Sequence, residues 1–157
     1  MPYFPDLAGL GPEKPVGYLW FGHSFPRGKV SHSFFERLVD LVEKPLMYAC
    51  GYHKCNLNLC GLRESVRSQP AFRYRGRVLG LGSSEIWVPG DKVVYRAPSL
   101  ILHYIRHHRY QPPECFCAAA LNCPEPGSAE YFAAIKECDP NHFFIRCANW
   151  FGQVAHP

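Results

Sequence analysis

The segment that follows Ser33 has the clearest helical pattern of hydrophobic positions in the chain. Apolar residues stand at positions 34, 35, 38, 41 and 42, which places them on one helical face, and Pro45 closes the segment. Ser33 and Glu36 fit a capping box, in which the two side chains satisfy backbone N–H groups at the start of a helix. The pattern therefore predicts an amphipathic helix from Phe34 to about Val42.

Shorter patterns cover most of the remaining chain. Apolar runs bounded by glycine or proline turns predict strands at 16–21, 46–49, 72–81, 84–88 and 93–95. Three further helices are predicted at 98–109, 112–121 and 128–137, the first two opening on prolines whose missing N–H costs nothing in a first helical turn. The patterns together predict an α+β fold, in which a small antiparallel sheet of about four or five short strands packs against about three short helices.

Size and composition restrict this architecture further. With 157 residues and 47% hydrophobic positions, the chain suits a single domain spanning 1–157. We place its core at 16–121 and regard 122–157 as a cysteine-rich C-terminal extension. Fifteen prolines and thirteen glycines predict many loops and disfavour long helices.

Charge and hydropathy disfavour two classes of partner. The net charge of +4 is scattered, and its densest run, 73–77, alternates basic residues with aromatic residues or glycine, as an exposed strand face does. No nucleic-acid-binding motif accompanies that run, so nucleic acid is disfavoured. No apolar run reaches the roughly 18 residues that cross a bilayer, and the N-terminal residues lack the pattern of a secretory signal. We expect no membrane association and a cytoplasmic protein, whose eight cysteines are thiols or metal ligands rather than disulfides.

The segment from Cys50 to Cys60 carries the strongest chemical signal. It holds three cysteines and His53 within eleven residues, in a turn-prone context. Thiolate sulfur and neutral imidazole nitrogen are the ligands that Zn2+ prefers, and a tetrahedral site needs four of them. His53 and Cys55 lie on one side of an extended segment, and Cys60 follows Cys55 at a spacing known from zinc fingers. We predict a zinc site that includes His53, Cys55 and Cys60.

Three residues compete for the fourth position in this site. Cys50 would complete a site within the segment itself, whereas His103 would join the segment to the 98–109 helix. His108 could do the same, or could orient another ligand through its second ring nitrogen. We place His103 in the site, so that the metal staples the 50–60 loop to this helix.

The other cysteines give weaker signals. They could form a second metal site, but no histidine accompanies the first three, and the first two fall on different faces of a helix. We prefer to interpret them as small buried apolar residues. They are Cys115, Cys117, Cys123, Cys138 and Cys147.

Several segments of the chain share a recognisable family pattern. They are Met1–Leu7, Phe25–Gly28, the 34–41 helix, Glu85–Gly90, Tyr95–Ile105 and His108–Pro113. Over roughly 1–121 they resemble a group of small bacterial proteins of unknown function. The group's His-x-Cys motif and its second cysteine fall on His53, Cys55 and Cys60, and its His-Tyr-x-x-x-His-x-Tyr stretch falls on His103 and His108. The resemblance implies a metal site and a bacterial cytoplasmic setting, but no reaction.

The first functional interpretation is a non-catalytic zinc protein. Zinc would stabilise a loop-rich fold through a fully protein-ligated site. The protein would then act by binding a protein or a small molecule through its aromatic residues. The candidates for such contacts are Trp20, Phe21, Trp87 and Tyr95. We favour this interpretation, because thiolate-rich zinc sites are more often structural.

Two enzymatic interpretations compete with it. In one, three protein ligands leave an open position at the zinc for water, Glu85 serves as general acid or base, and His108 assists. The common deaminase and protease motifs of zinc enzymes are absent from the sequence. In the other, Cys50 or Cys115 is a nucleophile, although neither has a nearby activating residue in the sequence.

Overall fold

Six strands and four helices make up the part of the chain that the structure, a computed structural model, describes: residues 3–48, 52–57, 60 and 70–139. In chain order the elements are β1 (Glu13–Pro15), α1 (His32–Glu43), β2 (Met47–Tyr48), β3 (Ala71–Tyr74), β4 (Arg77–Gly80), β5 (Ser84–Pro89), β6 (Val94–Pro98), α2 (Ile101–His108), α3 (Glu114–Asn122) and α4 (Ala129–Cys138). The predicted α+β class is confirmed. Cys50, Cys147 and the tail from 140 lie outside the described residues.

The larger of two sheets has the strand order β1-β6-β5-β2. β5 pairs antiparallel with both β6 and β2, whereas β1 runs parallel to β6. The sheet is therefore mixed at one edge, where an antiparallel arrangement was predicted. β3 and β4 form a separate antiparallel hairpin. Arg75 and Gly76 make its two-residue turn at φ of 45° and 80°, the backbone that a tight hairpin requires.

Two strand predictions were wrong in their bounds, and in both cases a glycine explains the difference. The 16–21 strand is not formed as predicted: β1 ends at Pro15, Gly17 has a φ of 74°, and Tyr18 makes an isolated bridge with Phe4. The single 72–81 strand is divided by the turn at Gly76. Positive φ interrupts an extended strand, and glycine adopts it without steric cost.

Helix α1 buries the face that the sequence predicts, but begins at a different cap. Ser31, not Ser33, is the N-cap, and its hydroxyl accepts a hydrogen bond from the N–H of Phe34 over 3.2 Å. Phe34 contacts the ring of Phe116 edge to face, so that α1 packs on α3. Arg37 donates to the carbonyl oxygen of Ala120 in the last turn of α3, and to those of Cys123 and Pro124, which directly follow the helix.

Helix α4 extends the core beyond residue 121. Its N-cap is Ser128, and its buried residues are Tyr131 and Ile135. The Tyr131 hydroxyl donates to the carbonyl of Trp87 in β5 over 2.6 Å, and the Cys138 thiol donates to the carbonyl of Gly90 over 3.2 Å. The described part of the C-terminal extension thus packs on the main sheet. Among the described residues, no helix has both the length and the apolar composition to span a bilayer.

Candidate metal centre

Cys55, Cys60, His103 and His108 each bring one possible ligand atom to the same place. The four atoms lie within 4.8 Å of one another. Cys60 Sγ is 3.1 Å from His103 Nε2, Cys55 Sγ is 3.3 Å from His108 Nε2, and the two Nε2 atoms are 3.2 Å apart. Three of the four residues are buried, and His108 is partly exposed. We call this group the Cys2His2 cluster.

The spacings within the Cys2His2 cluster are close to the edges of a tetrahedral metal site. With Zn–N of about 2.05 Å and Zn–S of about 2.3 Å, a tetrahedron has N···N edges of about 3.3 Å and S···N edges of about 3.6 Å. Hydrogen bonds alone satisfy this geometry less well. Each neutral imidazole Nε2 carries either one proton or one lone pair, yet each of the two faces two neighbours. One metal cation could accept an electron pair from all four atoms.

Gly82 forms hydrogen bonds both with the segment that carries Cys55 and with the residues that precede α2, the helix that carries His103 and His108. The carbonyl of Gly82 accepts a hydrogen bond of 2.8 Å from the N–H of His53, two residues before Cys55. The N–H of Gly82 donates over 2.9 Å to the hydroxyl of Ser99, two residues before α2 begins. Gly82 has a φ of 87°, and a Cβ there would overlap the His53 carbonyl. The only signal of this role in the sequence is a glycine between two predicted strands.

The end of α2 determines where His108 lies. Arg109 adopts the left-handed conformation that stops the helix, and its carbonyl accepts a hydrogen bond of 2.9 Å from the N–H of Gly28. His103 and His108 are five residues apart, which corresponds to about 140° around an ideal helix. Helical periodicity therefore does not predict the contact between their Nε2 atoms. It predicts a pair between His103 and His107, whose rings are indeed stacked 4.8 Å apart.

Electrostatics keep both imidazoles of the cluster neutral. Burial, together with His107 and His108, lowers the pKa of His103 to about 3. Burial, together with His107 and Arg27, also lowers the pKa of His108 below its usual value. Neutral imidazole with an available lone pair is the form that binds a metal ion. At neutral pH the two rings are therefore in the metal-binding state.

His53, predicted as a ligand, is not one of the four residues in the cluster. Its side chain is exposed and lines a separate cavity with Glu85 and Arg96. The hydrogen bond from its backbone to Gly82 places this residue beside the β5 end of the sheet. The structure thus brings together three of the four predicted ligands, and the fourth member of the cluster is His108, one of the alternatives for the fourth position.

Glu85, the predicted general acid or base, belongs to an ion-pair network. Its Oε1 accepts a hydrogen bond of 2.6 Å from the Tyr18 hydroxyl, and its Oε2 accepts from Arg96 Nε and Nη2 over 3.2 and 2.7 Å. Arg96 also donates to Glu13. Burial and the adjacent Glu85 carboxylate raise the pKa of Tyr18, which therefore keeps its proton. We call Glu13, Tyr18, Glu85 and Arg96 the Arg96 network.

The remaining sequence candidates divide between core and surface. Trp87 is fully buried and Tyr95 nearly so, whereas Trp20 and Phe21 are 43% and 53% exposed. Burial raises the pKa values of Cys117 and Cys123 to about 11, so both are protonated thiols at neutral pH. Within the described ranges, the cysteines after residue 110 join no group of three or more possible metal ligands.

Comparison with known proteins places this cluster in a family context. Residues 4–121 match the model of a family described as a domain of unknown function, DUF7919. The matched span contains all four residues of the Cys2His2 cluster and ends before α4. No curated protein and no solved structure matches the chain.

Proposed function

The chain belongs to the DUF7919 family, and we propose that it is a small zinc-binding protein in which the metal is mainly structural. The observation that carries this proposal is the convergence of four protein ligand atoms within 4.8 Å. A structural zinc site is closed by four protein ligands, whereas a catalytic site keeps a position open. The protein would act as a single cytoplasmic domain of bacterial type, through the binding of a protein or a small molecule.

The ligand set supports zinc as the metal. Two thiolates and two imidazoles form one of the common structural zinc sets. A tetrahedral set of two sulfur and two nitrogen atoms favours zinc over magnesium, calcium or manganese, which prefer oxygen ligands. Burial of Cys55, Cys60 and His103 also suits a site that water does not enter.

A metal at the Cys2His2 cluster would stabilise a segment that has few other connections to the core among the described residues. Residues 52–60 contain no helix or strand among those described, and they connect to the sheet through the bond between His53 and Gly82. A metal held by Cys55 and Cys60 on one side and by α2 on the other would fasten this segment to the core. In zinc-finger peptides such binding contributes about 10 kcal/mol or more of folding free energy.

The first test is the metal content of the purified protein combined with X-ray absorption at the metal edge. We expect one zinc per chain with two sulfur and two nitrogen ligands. His108→Ala should lower zinc affinity by about 100-fold or more, because it removes one of four ligands. His53→Ala is the matched control and should keep one zinc per chain. Loss of zinc from the His53 variant with retention in the His108 variant would show that the ligand assignment is wrong.

A zinc-dependent enzyme is the second candidate function, and one observation favours it. A cleft of about 340 Å³ is lined by His108 and Arg27, so the least buried ligand of the cluster faces accessible space. If His108 exchanged with water, the metal would gain the open position that hydrolytic chemistry needs. In this alternative His108 would serve as acid or base, whereas Glu85, the residue first named for this role, lines a different cavity in which both its oxygens accept hydrogen bonds. Three protein ligands and one oxygen in the absorption spectrum would place it ahead of the structural proposal.

A further inference from the structure

The cleft of about 340 Å³ beside His108 is lined by both a charged side chain and apolar side chains. Arg27 contributes the charged group, and Phe21 and Leu57 contribute apolar surface. The ring of Phe21 is 53% exposed and thus accessible to a ligand. The volume lies at the lower end of the range of about 300–1,000 Å³ that is usual for pockets that bind small organic molecules. The cleft therefore suits a molecule of about the size of one aromatic ring with a short substituent.

Backbone hydrogen bonds on both sides of Arg27 hold this residue beside the end of α2. The carbonyl of Pro26 accepts a hydrogen bond of 3.0 Å from the N–H of Gln111. The N–H of Gly28 donates over 2.9 Å to the carbonyl of Arg109. A residue whose backbone is already fixed loses less conformational freedom when a ligand binds.

The guanidinium of Arg27 has donors to offer to a ligand. Within the described ranges it forms no ion pair, and its central carbon lies 5.0 Å from the centre of the Phe25 ring. Burial, together with His107 and Arg27, lowers the pKa of His108, so the guanidinium acts on this ring across the cleft. A guanidinium carries five N–H groups in a planar fork that matches the two oxygens of a carboxylate or a phosphate.

No carboxylate among the described residues of the lining competes for these donors. Besides Arg27, the groups of the lining that can carry charge are His23 and His108, and a histidine is either neutral or positive. Asp6 lines a different cavity, where its carboxylate accepts hydrogen bonds from the N–H of Gly17 and from a tyrosine hydroxyl. The Cys2His2 cluster adds no net charge when it holds Zn2+, since its two thiolates balance the metal.

We propose that this cleft binds a small organic molecule in which an anionic oxygen group, a carboxylate or a phosphate, is joined to an apolar body. The guanidinium of Arg27 would donate two parallel hydrogen bonds to the anionic group. The apolar body would lie against Phe21 and Leu57. A neutral molecule of the same shape would keep the apolar contacts but lose the charge-assisted hydrogen bonds, and a protonated amine would be repelled by the guanidinium.

The inference deepens the proposed function and rests on it, because it names the site and the ligand class through which the protein would act. Leu57 lies between Cys55 and Cys60, and His108 is itself a member of the Cys2His2 cluster. A metal in the cluster would therefore hold two of the residues that line the cleft in place.

The experiment uses the full-length, zinc-loaded, 15N-labelled protein at pH 7 and four probes with a phenyl ring: phenylacetate, phenyl phosphate, phenylacetamide and 2-phenylethylamine. We expect at least one of the two anions to bind about tenfold more tightly than the neutral amide, and the tighter anion identifies the preferred group. The amine should bind most weakly. The backbone amide signals of Gly22 and Leu57, both in the lining, should shift with the anion. X-ray absorption of the complex should still show two sulfur and two nitrogen ligands, because the anion would bind Arg27 and not the metal.

Four variants separate the guanidinium from general charge and from shape. Arg27→Gln should weaken binding of the anion by about tenfold, with little effect on phenylacetamide. Arg27→Lys keeps the charge without the planar fork and should cause a smaller loss. Lys29→Gln removes an exposed cation that does not line the cleft; it is the matched control and should change neither affinity. Phe21→Ala should weaken the anion and the amide alike, because it removes apolar surface without any change of charge.

Three results would each overturn the inference. The first is equal affinity for the anionic and neutral probes, or the absence of shifts at Gly22 and Leu57. The second is an unchanged anion affinity in Arg27→Gln, or an equal loss in Lys29→Gln. The third is an oxygen ligand at the metal in the complex. Zinc content, measured on the same samples, separates this inference from the proposed function. A chain that holds one zinc but binds neither anion overturns only the cleft inference, and a chain without zinc that binds the anion overturns only the metal proposal.

Discussion

The Cys2His2 cluster and the Arg96 network are both groups of polar side chains that pack beside the hydrophobic core. They differ in whether the chain itself supplies a positively charged group. In the Arg96 network the chain itself supplies a cation, whose hydrogen bonds to Glu13 and Glu85 outweigh the effect of burial and raise the pKa of the guanidinium. In the cluster the chain supplies only electron-pair donors, with both imidazoles held neutral. The first group contains its own cation, whereas the second could hold a metal cation.

This difference shows how a close arrangement of polar groups indicates its partner. Buried polar groups are stable when their donors and acceptors are matched. Two thiols and two imidazoles within 4.8 Å match one another poorly and a tetrahedral cation well. The carboxylates of Glu13 and Glu85, by contrast, accept hydrogen bonds from a guanidinium that the chain itself supplies.

Replacing one thiolate should remove the metal. Cys60→Ala is expected to lose stoichiometric zinc and about 5 kcal/mol of unfolding free energy, roughly half of what zinc binding contributes in small metal-dependent domains. Cys123→Ala is a matched control, because both cysteines are 7% exposed and only Cys60 belongs to the cluster. The control should keep one zinc per chain. Metal analysis and thermal denaturation check both variants, and equal melting temperatures would contradict the prediction.

Removing the internal cation should destabilise the other region and leave the metal in place. Arg96→Met is expected to cost about 3 kcal/mol, because it leaves two partly buried carboxylates without their cation. Arg77→Met removes an exposed arginine that pairs with Asp40 and Glu43, and should have little effect. Denaturant unfolding measures the difference. If the zinc content of Arg96→Met also fell, the two regions would not be independent.

Acid should release the metal. An unfolded histidine titrates near pH 6.5, whereas burial lowers the pKa of His103 to about 3 and that of His108 in the same direction. Between these values the unfolded chain binds more protons than the folded chain. The stability due to these rings is therefore complete above about pH 6.5 and is lost as the pH falls towards 3. At pH 5 the effect of His103 alone should lower the free energy of unfolding by about 2 kcal/mol. The zinc content of the protein should also be lower at pH 5 than at pH 7.

A substitution at Gly82, which lies between the Cys2His2 cluster and the Arg96 network, should lower the stability of the fold, as denaturant unfolding can measure. Gly82→Ala introduces a Cβ at a positive φ that also overlaps the His53 carbonyl. Gly76→Ala is the matched control, because Gly76 has a similar φ of 80° but open space around it. We expect Gly82→Ala to be about 1–2 kcal/mol less stable than the control. Comparable stability of the two variants would show that the contact at Gly82 does not hold the segment.

Local patterns predicted most elements of the fold correctly. The apolar face of α1, the helix α4 and the strand β5 all appear where the sequence placed them. These features depend on neighbours within a few residues, which the sequence shows directly. The parallel pairing of β1 with β6 was missed, because it joins residues about 80 positions apart and leaves no local pattern.

The candidate site was predictable in part for the same reason. Cys55, Cys60 and His103 were identified from residue type and spacing. His53 was included because it is close to Cys55 in sequence, and His103 was preferred to Cys50 and His108 for the fourth position. The presence of both His103 and His108 in the cluster, without His53, depends on the Gly82 contact and on the end of α2, and neither is visible in a linear pattern.

Residue types and their local spacing therefore indicate the chemistry available to this protein: two cysteines and several histidines that could bind a metal, amphipathic helices and short strands. Which histidines meet the cysteines, and that Glu13, Glu85 and Arg96 share one cavity, depends on the folded chain. The two kinds of information differ in the distances over which their interactions act. Propensity, capping and hydrophobic periodicity act over a few residues, whereas coordination and ion pairing act over a few ångströms between residues that the fold brings together from distant parts of the chain.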